Sequence, residues 1–128
     1  MESVALSVPL TEEGVGLVTE QAERLTGPLL GIYGRSRKLL GYETIKVWVQ
    51  SSPSGPLLNC YFQTRGSIAD MRQATSSSAY PIDAEMNEVF EAATGVSWDE
   101  FANQDVRPLI DWSADPVTDE IAEQENDA

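Results

Sequence analysis

Apolar and polar side chains alternate at two places along the chain and recur at helical spacing at several others. Val4, Leu6 and Val8 alternate with small or polar neighbours, which predicts a strand over 3–8 that ends at Pro9. The longer alternation runs from Thr44 to Arg65, TIKVWVQSSPSGPLLNCYFQTR. Ile45, Val47 and Val49 make one face of a strand over 44–50, Leu58, Cys60 and Phe62 one face of a strand over 57–65, and a Pro/Gly/Ser turn joins them. Pairing Gln50 with Leu57 sets Val49 against Leu58, Val47 against Cys60 and Ile45 against Phe62. A slip of one residue would turn the polar set inward. Val47 is therefore expected in the core and Trp48 on the opposite face. An isolated hairpin is marginal in water, so a third strand or a covering helix has to complete it.

Helical spacing begins at Thr11, an N-cap followed by Glu12 and Glu13. Val15, Val18, Ala22 and Leu25 then give a helix over about 12–25, stopped by Gly27 and Pro28. Gly14 and Gly16 weaken its start unless close packing requires them. Residues 28–42 are punctuated by Gly31, Gly34 and Gly41 and read as a broken helix that carries a basic cluster, Arg35, Arg37 and Lys38. Ser67 and Asp70 form a capping pair for a short helix with Ile68 and Met71, and 75–81 reads as a loop. Asp83 is expected to cap a helix in which Met86, Val89, Phe90 and Ala93 share one face and Gly95 ends it. Ser97 with Glu100, and Val96 with Phe101, have the spacing of a capping box and a hydrophobic staple, for a helix over about 98–106.

These elements predict an α+β fold: a small antiparallel sheet of about three strands around the hairpin 44–50/57–65, covered by helices, with an acidic helical C-terminal part. At 128 residues the chain is the size of one domain, taken as 1–112 with its C-terminal helical part at 83–112, followed by an acidic tail over 113–128. The net charge of -13 is uneven: residues 1–80 carry seven acids and seven bases, whereas 81–128 carry fourteen acids against Arg107 alone. Such a field repels nucleic acid and anionic membrane and favours a protein partner with a basic surface. No apolar run is long enough to span a membrane and no basic region precedes an apolar one at the N-terminus, so the expected location is the cytoplasm, or the host cytoplasm or virion if the chain is viral.

Histidine is absent and Cys60 is the single cysteine, so neither an internal disulfide nor a Ser-His or Cys-His pair can be built. Cys60 falls on the apolar face of the hairpin and reads as a core residue. The acids of 111–127 lack the alternate spacing and central Gly of a calcium loop. No enzyme, metal or cofactor is expected. The stretch Gly31-Ile32-Tyr33-Gly34 before the basic cluster resembles the GxxG loop of a KH domain, which implies clamping of an RNA backbone. The neutral charge of residues 1–80 ranks this below the other readings.

On the polar face of the hairpin Trp48, Tyr61 and Arg65 combine the residue types that anchor interfaces, and Leu109, Ile110 and Trp112 form an apolar run beside the acidic tail. These six are the candidate partner-binding residues. The sequence is read as a non-catalytic protein-interaction module: a small subunit, adaptor or assembly factor of a larger complex such as a virus particle. The reading admits a homo-oligomer. The alternative is an acidic inhibitor that imitates nucleic acid and occupies a DNA- or RNA-binding enzyme.

Overall fold

The computed structural model of the chain describes residues 1–110, 112 and 114. In chain order the elements are β1 (Glu2–Pro9), α1 (Glu12–Thr26), α2 (Leu30–Leu39), β2 (Tyr42–Gln50), β3 (Leu57–Thr64), α3 (Ile68–Ser76), α4 (Pro81–Thr94) and α5 (Trp98–Ala102). The strands form one antiparallel sheet in the order β1-β3-β2, and the chain is a small α+β fold. The strand begun at Val4 is the third strand that the hairpin needs, and it pairs with β3 rather than β2.

The alternation fixes the β2/β3 register as expected: Ile45 lies opposite Phe62, Val47 opposite Cys60, Val49 opposite Leu58 and Gln50 opposite Leu57. The core face continues onto β1, where Leu6 pairs with Cys60 and Val8 with Leu58. Leu6, Val8, Leu58, Cys60 and Phe62 are buried against Met71 of α3, Phe90 and Ala93 of α4 and Phe101 of α5. Tyr42, Phe62, Trp98, Phe90 and Phe101 continue as a chain of aromatic rings with centroids 4.8 to 5.8 Å apart, mostly edge to face. Phe101 has no exposed surface at all, which makes α5 a short but firm cover.

The helix starts follow their caps. The Thr11 hydroxyl accepts from Gly14 N at 2.9 Å, Ser67 from Asp70 N at 3.1 Å and Ser97 from Glu100 N at 3.2 Å. Gly14 is required by packing: a Cβ there would stand 2.3 Å from the Ala93 carbonyl oxygen, so α1 and α4 meet backbone to backbone. Gly95 ends α4 with φ of 75°, the left-handed cap that favours glycine.

The structure corrects several expectations. Residues 30–39 form an unbroken helix, because Leu29, Tyr33, Arg37 and Leu40 give it one inward face despite its glycines. Gly31 and Gly34 therefore lie inside α2 and make no GxxG loop, so the KH resemblance has no structural counterpart. Asp83 does not cap α4: Tyr80 is the N-cap, Pro81 takes the first helical position, and Asp83 is buried one turn in. The last helix stops at Ala102 rather than 106. Val47 occupies the core face of β2 but remains 55% exposed, because no helix reaches that end of the strand. No helix among the described residues is long and apolar enough to cross a membrane. The acidic tail placed at 113–128 lies outside the described residues apart from Ala114.

Candidate functional site: the free edge of the sheet and its groove

Strand β2 is an edge strand whose two halves differ. Its Tyr42 end lies beside α2 and is buried, with the Tyr42 ring against Phe62 and its hydroxyl hydrogen-bonded to Thr75 Oγ1 at 2.9 Å. From Lys46 to Gln50 every residue is exposed, including the apolar Val47, Trp48 (46%) and Val49 (41%). Val47 and Val49 point to the core side and Trp48 to the other, so this half of the strand is apolar on both faces. Its inner backbone edge pairs with β3, and no described residue bonds its outer one.

Beside it lies a cavity of about 520 Å³, open to solvent. Val18, Ala22 and Leu25 of α1 and Met86 of α4 line it from above, and Ile45, Val47 and Leu58 from the sheet. At its Tyr42 end Arg37 of α2 is paired with Asp83 of α4, with side chains only 9% and 3% exposed. The Arg37 guanidinium carbon also lies 5.5 Å from the Tyr33 ring centroid and 5.3 Å from that of Tyr42, and Nε donates to Ser36 Oγ at 3.3 Å. Burial pulls the Arg37 pKa below its ordinary value, and the two tyrosines oppose that shift. Burial likewise pushes the Tyr33 and Tyr42 hydroxyls up, with Arg37 opposing. A charge held inside by its partner costs more to strand than the pair gains, so the pair fastens α2 to α4 without attracting a further ion.

Cys60, on the floor of the cavity, is buried, and desolvation pushes its thiol up to about 12. It stays protonated at neutral pH and is a packing residue rather than a nucleophile. Among the described residues no three metal-ligating side chains come together.

The six candidate residues do not form one surface. Trp48 and Tyr61 share the outward face, but a hydrogen-bonded row of Ser7, Asn59 and Gln50 crosses it, and Tyr61 sits half-buried in a second pocket with Ile68, Arg72 and residues 104–108. Arg65 lies beyond the end of β3, its side chain donating to the Lys38 carbonyl and its Nε 3.9 Å from Glu43. Leu109, Ile110 and Trp112 are exposed in the segment after α5. The basic cluster is divided: Arg35 and Lys38 face solvent, whereas Arg37 turns inward because Asp83 and two aromatic rings receive it. Val47 and Val49, which sequence reasoning assigned to the core, are the residues it missed. The signal was the two-residue period itself, which marks a face without showing what covers it. The chain matches no protein-family model, no curated protein and no solved structure.

Proposed function

We propose that the chain is a non-catalytic protein-interaction module, a small subunit, adaptor or assembly factor, which meets its partner through residues 46–50 of β2 and the groove beside them. The observation that carries this reading is the exposure of Val47, Trp48 and Val49 on both faces of a strand whose outer backbone edge has no partner among the described residues. Such an edge accepts another strand, whose backbone supplies the hydrogen bonds and whose alternate side chains meet the flanking surfaces. A protonated, buried Cys60 and the absence of histidine support a role without nucleophilic catalysis.

Two acids of the acidic third favour this reading over mimicry of nucleic acid. Asp83 is spent inside the fold on Arg37, and Glu85 is paired with Arg24, so these two carboxylates do not present free charge. A phosphate-like row needs its acids unpaired on a rigid face.

The test is affinity capture from native lysate followed by binding of the captured protein in pure form. Val49→Lys puts a charge on the bare edge and should lose a partner that the wild-type chain holds, with the fold intact by circular dichroism. Equal binding of that purified partner by both chains would place its interface elsewhere and refute the reading.

A further inference from the structure

We infer that the bare half of β2 joins two copies of this chain, pairing edge to edge as antiparallel strands centred on Trp48. The inference rests on the reading of β2 as the contact surface and names its occupant. Three observations select a second copy.

The first is the symmetry of the strand. Lys46-Val47-Trp48-Val49-Gln50 has the same apolar pattern in both directions about Trp48. Antiparallel pairing about a two-fold axis at that residue places Val47 opposite Val49 of the partner subunit and Trp48 opposite its own counterpart. Lys46 then stands opposite Gln50 of the partner subunit. The valines meet on the core side, at the open mouth of each groove, and the indoles meet on the other face.

The second is where the charge lies. Like molecules of net charge -13 repel, yet residues 1–80, which include all of β2, carry equal numbers of acids and bases. The chain after α5 runs past the opposite edge: Gln104 Nε2 donates to the Ser7 carbonyl of β1 at 3.1 Å. With the order β1-β3-β2, pairing through β2 holds the starts of the two acidic C-terminal segments at the far edges of a continuous six-stranded sheet. An approach through β1 would bring them together.

The third is that, among the described residues, the other edge is flanked. Gln104, Asp105, Val106, Pro108 and α3 border β1, and Pro9 ends it without a backbone donor. Edge pairing that uses β2 alone therefore closes at two copies and does not propagate into a fibre.

Sedimentation equilibrium of the full chain across a concentration series, at low and high salt, reads this directly. The expected result is a dimer whose association tightens as salt screens the repulsion between the two acidic chains. Val49→Lys should weaken it at least about tenfold, a change of roughly 1.4 kcal/mol, with the circular dichroism spectrum of the folded chain unchanged. Cysteine placement fixes the register, since opposed positions lie within disulfide reach and buried Cys60 stays out of the reaction. Trp48→Cys should cross-link to itself under mild oxidation, and Val47→Cys should cross-link to Val49→Cys in a mixture more than to its own kind. A wild-type chain that stays monomeric overturns self-pairing and leaves β2 as a surface for a different protein, which the purified-partner comparison judges separately. A dimer indifferent to Val49→Lys, or one that salt dissociates, also overturns it.

Discussion

The two edges of this sheet share one set of hydrogen-bonding groups and have opposite fates. At β1 the edge is closed by its surroundings: Gln104 donates to the Ser7 carbonyl, the Glu2 carboxylate accepts from Ile68 N at 2.8 Å, and α3 and α5 lie alongside. At β2 only the Tyr42 end is covered, by α2, and the strand runs on from Lys46 to Gln50 with apolar residues on both sides. Natural sheets blunt an exposed edge with Pro, inward charge or a bulge. Here the register irregularity falls between Tyr42 and Thr44, at the covered end, and Lys46 is the single charge on the bare stretch. The lesson is that the unbroken exposed run at β2 is local, covering Lys46 to Gln50, in a protein whose other edge is flanked by helices and by the chain after α5.

That contrast can be broken from either side. The largest effect is expected at the closed edge, where Phe101→Ala removes the fully buried ring that seats α5 and should cost about 4 kcal/mol in denaturant unfolding. Next comes Asp83→Ala, which strands the Arg37 charge and should cost about 3 kcal/mol. Because this pair fastens α2 to α4, amide exchange at Tyr42 and Glu43 should quicken as the bare stretch lengthens. Combining Arg37→Met with Asp83→Leu should recover most of the loss. Ser97→Ala removes the α5 cap and should lower stability by about 1 kcal/mol in the same assay. The smallest change is expected at the free edge: at concentrations where the chain is monomeric, Val47→Ala should shift stability by no more than about 0.5 kcal/mol, as exposed positions do. A loss of about 2 kcal/mol at Val47 would mean that the groove closes over it in solution, and the contrast between the edges would fail.

What the sequence made legible was local. The β2/β3 register follows from a two-residue period and a Pro/Gly turn, and the starts of α1, α3 and α5 follow from Thr11, Ser67 and Ser97, each within three residues of the group it caps. Helix α2 was hidden by Gly31 and Gly34, whose low propensity was overridden once Arg37 found Tyr42 and Asp83 outside the helix. The Arg37–Asp83 pair joins residues on two separate helices, and no local spacing announces it. The candidate site was half visible. Trp48 was read as a contact residue from its type and its face, but Val47 and Val49 became surface only because the helical layer stops short of them.

The placement of the tryptophans makes the protein its own optical instrument. Trp98 packs against Phe62, Phe90 and Phe101 with its indole N–H buried, a setting that gives emission to the blue of an exposed indole. Trp48 is half in water on the bare strand and Trp112 is wetter still, so both emit to the red and are open to quenching. Collapse of the aromatic core and occupation of the edge therefore register in different parts of one fluorescence spectrum. Replacing Trp112 with Phe leaves a single wet indole, whose light is lost to acrylamide when the edge is free and kept when something lies across it.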